Sequence, residues 1–230
     1  MKFSGKSPNR FARRLLIGPP TRITLDMAGS MTMIAKRCFP RPTRVIDRFH
    51  VQRLAVEALQ DIRIKYRWDA LDQENDAIEQ AKASQAEYQP ELLANGDTIK
   101  QLLARSRYAL YKKPNTWTES QRERAQLAFE RFPDLKKAYD LAQELSNIFT
   151  NTNEKIYGLT RLAKWHEKVI QSGFKSFNTV ARSIENHYMT IVIYFDNRSP
   201  MLRLNHSMPK SKLLEVNSEE FGMLNSSCIA

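Results

Sequence analysis

Three side chains near the start of the chain have the types and spacing for phosphoryl-transfer chemistry. Asp26 closes the run TRITLD, Asp47 closes RVID, and His50 follows Asp47 by three residues. Each aspartate stands at the end of a short apolar run that reads as a strand. In an open α/β sheet, functional groups gather beyond the carboxyl ends of the strands. Carboxylates there can hold Mg²⁺, which prefers a few protein oxygens together with water and phosphate. Two such ions about 3.5–4 Å apart clamp the attacking and leaving oxygens of a phosphodiester. The spacing of Asp47 and His50 allows both on one helical face. Each residue alone also has a plainer reading. Asp is a favoured N-cap residue, and both aspartates precede stretches that can be helical. A lone histidine can equally be a packing or surface residue.

Cations recur further on, in Arg63, Lys65 and Arg67, in Lys112 and Lys113, and in Arg122 and Arg124. Lys136 and Lys137 add another pair. Tyr66, Trp68, Tyr108 and Tyr111 lie among them. Phosphate contacts from the cations and base stacking on the aromatics would suit a nucleic acid. A solvated helix face with aromatics turned inward is the alternative at each position. His166 and His187 fall on helical stripes and read as packing residues, and His206 lies in a stretch without periodicity.

The balance of charge points the same way. There are 36 Lys and Arg against 25 Asp and Glu, a formal net charge of +11, which suits a polyanionic partner. Seven glycines are few for an all-β or glycine-loop nucleotide fold, and neither GxGxxG nor a P-loop occurs. Two distant cysteines, Cys38 and Cys228, fit neither a zinc site nor a disulfide framework. No apolar run of about 18 residues is present, so no membrane span is expected. A cytoplasmic setting follows as the expectation.

The elements that must position these residues can be read from periodicity. Arg22–Met27 and Arg44–Asp47 read as strands, with a short helix over Ser30–Arg37 between them. That unit makes a parallel pair. From Val51 the period turns helical, with Val51, Leu54, Ala55, Ala58, Leu59 and Ile62 on one face. Pro90 and Asn95-Gly96 mark a break. Ile99–Leu110 predicts another helix, and Thr118-Glu119-Ser120-Gln121 is a capping box opening the next. Three further stripes follow: Leu135, Ala138, Ala142, Leu145 and Phe149; then Ile156, Leu159, Ala163 and Ile170, closed by Gly173; then Val180, Ile184, Tyr188, Ile191 and Phe195. Residues 1–20 and 199–230 show no sustained pattern and read as disordered.

Taken in order, ITLDMAGSM, RCFPRPTRVIDRFHVQRL, LLARSRYALYK, WTESQRERAQLAF and IVIYFDNRS resemble the bacterial insertion-sequence transposases of the ISL-three type. The resemblance is continuous from about Thr21 to Ser199. It implies a ribonuclease-H-like catalytic domain with an Asp-Asp-Glu metal triad, interrupted by a helical insertion. Asp26 then matches the second triad Asp, a metal ligand. Asp47 and His50 match the [Cys/Asp]-x-x-His motif that follows it. Mg²⁺ is the implied cofactor and DNA the implied partner. A homo-oligomer, nucleoid association and no small-molecule substrate complete the expectation.

The chain also departs from that family. The first triad Asp belongs upstream of Thr21, where nothing resembles it. The family continues YFDNRS into a TNA run and a helix carrying the Glu, where this chain has PMLRLNHSMPKSKLLEV. A one-base loss after Ser199 accounts for the difference. In the shifted phase Met208-Pro209 forces an Ala codon and Leu204-Asn205 permits a Glu codon. Permitted codons then restore TNAxxESFNAKIKAF and beyond. The same phase over residues 1–14 permits a family-like lead-in.

The expected fold is therefore mainly α. A helical insertion over 51–198 is attached to a partial ribonuclease-H-like α/β remnant over 21–50, a short parallel strand pair. Residues 1–20 and 199–230 are expected to be out of frame. The expected function is that of a transposase fragment lacking two triad acids. The alternatives are a helical nucleic-acid-binding or regulatory module without catalysis, and an enzyme completed by other chains.

Overall fold

Two four-residue segments, RITL, which alternates polar and apolar residues, and TRVI, rich in β-branched residues, form the strands β1 (Arg22–Leu25) and β2 (Thr43–Ile46). The computed structural model describes residues 22–25, 27, 29–38 and 40–196. The strands are parallel, in register from Arg22↔Thr43 to Leu25↔Ile46. Parallel neighbours need a crossover, and α1 (Gly29–Cys38) supplies it. Lys36 and Arg37 fall in its last turn, where the helix dipole favours cations. Among the described residues of this small unit Leu25, Ala35, Pro42 and Ile46 are buried. The expected strands were one or two residues different at their ends. β1 stops at Leu25 rather than Met27, and Asp47 follows β2 instead of belonging to it.

The described residues fall into two compact units, dividing between Asp47 and Arg48. The second is wholly helical. It begins with α2 (Arg48–Ala83), 36 residues long, or about 54 Å at 1.5 Å per residue. Its buried residues run from Val51 to Arg63 and no further. The later turns hold Asp69, Asp72, Glu74, Asp76 and Glu79, which keep that part in water. Four short helices and turns follow: α3 (Ile99–Arg105), α4 (Arg107–Leu110), a 3₁₀ turn at Pro114–Thr116, and α5 (Glu119–Arg131). The capping box read at Thr118 is present, with Gln121 as its reciprocal partner. Thr98 and Gln101 make a second one at the start of α3.

α6 (Pro133–Asn151) starts with a proline at its first position, where the missing N–H costs nothing. Its predicted stripe, Leu135, Ala138, Ala142, Leu145 and Phe149, is buried throughout. α7 (Lys155–Ser172) ends on Gly173, whose φ of 72° is the left-handed cap that suits glycine. α8 (Lys175–Asn186) and α9 (Tyr188–Asp196) complete the unit, parted at His187 with no Gly or Pro to signal it. α2 packs against α3, α4, α6 and α8, while α7 packs on α6, α8 and α9.

The expected face of α7 is reversed. Ile156 and Ile170 are 72% and 56% exposed, and Gly158, Leu162, Trp165 and Val169 are buried instead. Both sets have helical spacing. The larger payload decides: Trp165 is fully buried and its indole N–H donates to the Leu141 carbonyl at 2.8 Å. Gly158 lets the Phe195 ring lie directly on the α7 backbone, and that ring stacks on Phe149 at 5.5 Å between centroids.

A Cβ at Gly158 would stand 2.6 Å from Phe195 Cδ2. Alanine is the better helix former by about 1 kcal/mol, yet here the buried ring has to move. Gly158→Ala is expected to destabilise the helical unit by about 1–3 kcal/mol, the scale of overpacking a core. Denaturant titration followed by circular dichroism measures it; a stability gain would mean the contact is looser than described.

Candidate functional site

The parallel pair brings its two carboxyl ends level, since Leu25 and Ile46 are register partners. The Asp47 N–H donates to the Leu25 carbonyl at 3.0 Å, carrying the ladder one residue past β2. Asp47 is half-buried in that position. Asp26, next after Leu25 in sequence, lies outside the described residues. His50 is half-buried in the first turn of α2, in the helical unit. Among the described residues no three His, Cys, Asp or Glu side chains are grouped to hold a metal ion. One carboxylate is a poor match for Mg²⁺, which wants several oxygens. The described residues therefore do not make up the metal set that the resemblance implies.

The cations named from the sequence meet different fates. Arg63 is buried; its Nε donates to Gln60 Oε1 at 2.6 Å and its Nη1 to the Leu103 carbonyl at 2.7 Å. Burial, then the charges of Arg107 and Arg67, push its guanidinium below the usual arginine range. Its polar head thus serves the interior and is withdrawn from solvent. Arg124 donates from Nε to Asp97 Oδ2 at 2.8 Å and also bonds Ser120 Oγ, so its charge is already matched. Lys65, Lys112 and Arg122 are exposed, with Lys112 Nζ donating to Gln121 Oε1 at 3.2 Å. Lys113 and Arg67 are half-buried.

The aromatics divide likewise. Tyr66 turns inward, with its ring 4.7 Å from Phe132 and its hydroxyl donating to Asp134 Oδ2 at 3.3 Å. Trp68, Tyr108 and Tyr111 are exposed. A separate cluster of Trp117, Phe129 and Tyr139 lines an open pocket of about 450 Å³. Its Lys136 lies 5.7 Å from the Phe129 centroid and is paired with Asp140 at 2.6 Å. Burial drives the Tyr139 phenol far above the usual tyrosine range, and its hydroxyl donates to the Lys112 carbonyl at 2.7 Å. That group keeps its proton and serves structure. His187 Nδ1 is 2.9 Å from the Ser183 carbonyl.

Two residues escaped the sequence reading. One is Arg107, within LLARSRYALYK, where Arg105 is its only close cation in sequence. Asp97 is a carboxylate only 2% exposed. It accepts from Arg124 and Arg105 and holds the turn after Gly96, where Asn95 Nδ2 donates to it at 3.0 Å. Its signal was the Asn-Gly-Asp turn chemistry ahead of the Thr98 cap.

A family model described as Transposase, of the Asp-Asp-Glu class and ISL-three type, matches residues 21–201, well over half of the chain. No curated protein and no solved structure matches the chain.

Asp97 supplies a pH test of the helical unit. Burial alone would raise its pKa, but the hydrogen bonds and charges of Arg124 and Arg105 outweigh it, and the carboxyl titrates below its ordinary value. A depressed folded pKa gives stability that is present above the unfolded value, about 3.9, and lost as pH falls through the folded one. Asp97→Asn is expected to cost about 1–3 kcal/mol at pH 7, since both arginines keep some contact with water. The gap between variant and native protein should close as pH falls below about 4; thermal melts across that range measure it.

Proposed function

The chain belongs to the ISL-three-type family of Asp-Asp-Glu transposases, and from that premise we propose that it is a transposase segment. It would combine part of the catalytic sheet with the helical insertion. In this reading Asp26 is the second triad acid and a metal ligand, and Asp47 with His50 is the accessory motif beyond it. The partial core covers 21–50 and the insertion 51–198. The observation that carries the reading is the level carboxyl edge of a parallel pair, Leu25 beside Ile46, with an aspartate following each in sequence. DNA is the partner such a protein would act on, and the net charge of +11 suits it.

We further propose that the triad is incomplete within this chain. In the family a divalent metal pair would polarise the phosphodiester and stabilise its leaving oxygen. A single acid from the matched span cannot hold that pair, so no step is assigned to metal here. The flanks, 1–20 and 199–230, read as out-of-frame translation. The end of the family match at residue 201 supports that reading for the second flank. The competing reading is a DNA-binding helical module without catalysis, favoured by the exposed Trp68, Tyr108 and Tyr111.

Purified full-length chain incubated with supercoiled plasmid and Mg²⁺ or Mn²⁺ is expected to give no nicking above background. Strong nicking that Asp26→Ala abolishes would overturn the incompleteness. The encoding DNA tests the flanks: one base restored near Ser199 should recover a Glu-bearing helix, and its failure to do so would sink the frame reading.

A further inference from the structure

The face where α2 meets α4 gathers Arg63, Arg67 and Arg107, an excess of positive charge. Arg63 lies at its centre, and both of its hydrogen-bond acceptors, Gln60 Oε1 and the Leu103 carbonyl, are neutral. α4 is held to α2 there by Gln60 Nε2, which donates to the Arg107 carbonyl at 3.4 Å. Arg107 and Arg67 are close enough to Arg63 to repel its charge, and Tyr111 close enough to interact with it. Among the described residues neither Arg67 nor Arg107 has a carboxylate within salt-bridge range. The Nε of Arg67 is buried without an acceptor. Arg107 is exposed and Arg67 half-buried, so these two are the guanidiniums an anion can reach, with the buried Arg63 adding its charge behind them.

The same face exposes aromatic rings. Tyr108 is 66% and Tyr111 48% exposed, one helical turn apart. The Arg107 guanidinium lies 5.7 Å from the Tyr108 ring centroid, which holds charge and π-surface together. Leaving two tyrosines in water forgoes their burial, so the chain gains nothing from them in its own core. Duplex DNA hides its base faces in the stack and can use only the cations. An unpaired strand offers phosphates and free base faces at once, the pairing that a basic, aromatic surface fits.

We propose that the α2–α4 face, through Arg67, Arg107, Tyr108 and Tyr111, binds unpaired DNA strand in preference to duplex. This rests on the reading that DNA is the partner, and it names which surface and which form of DNA. It also leaves the acids after the strands with no part in that binding.

The test is fluorescence anisotropy of the full chain with labelled 30-nucleotide single strands and the matching duplex, over a range of salt. The native protein should favour the single strand. Tyr108→Ala with Tyr111→Ala should weaken single-strand binding about ten-fold and leave duplex binding unchanged, while the Phe pair retains the preference. Arg107→Ala should weaken both and flatten the salt slope by about 0.7 for the single strand. Circular dichroism melts check that these exposed substitutions leave folding intact. DNA binding with no strand preference, or with a preference that survives loss of both rings, overturns this inference and leaves DNA as partner. Absence of binding to either form overturns both.

Discussion

The helical unit depends on the first four turns of α2. That one surface receives α3, α4, α6 and α8. Its contact residues, Val51, Ala55, Ala58 and Leu59, are small or slender, which lets several helices approach a single rod closely. Ser176 Oγ donates to the Ala58 carbonyl at 3.1 Å, a contact that only a short side chain over a bare helix backbone permits. α7 has no such seat on α2 and reaches the core through α6, α8 and α9. Its Trp165 and the ring stack of Phe149 with Phe195 fill the space that remains.

Local features were legible in the amino-acid sequence, and contacts made at long range were not. Thr118 with Gln121 is a cap because the bonds span three residues, so the motif and the structure coincide. The stripe on α6 was plain because apolar residues occupy one face and charges the other. α7 offers two apolar stripes, and what chooses between them is made at long range: Trp165 buried against α6 and Phe195 of a later helix lying on Gly158. The reading of a long helix from Val51 into the charged stretch beyond Tyr66 held as far as Ala83, and the parallel pair emerged from its turn and strand signals within two residues of the observed ends.

The charges were harder, since sequence places a basic residue on a helix at the surface by default. Arg63 is inside because α3 ends beside it, and a helix end has carbonyls in need of donors. The Leu103 carbonyl takes both the Arg63 Nη1 and the Ser106 hydroxyl, at 2.7 and 3.2 Å. Asp97 is inside for the opposite reason: two arginines from α3 and α5 converge on it. Neither convergence has a sequence pattern. Of the acidic candidates, the legible part was the order of strand and aspartate; Asp26 itself lies outside the described residues.

α2 also divides along its own length. Among the described residues, Glu74, paired with Lys100 at 2.7 Å, is its last side chain with a hydrogen bond or ion pair to another helix. The turns from Asn75 to Ala83 have no such tie and rest mainly on their own backbone bonds, and a helix segment that short is marginal in water. One continuous helix then holds two regimes of amide exchange. Its core half is expected to open only when the whole unit unfolds, and its far end to fray as an isolated peptide would. Among the described residues that end, ahead of the tight turn at Gly96, is where a protease could cut without disturbing the packed half.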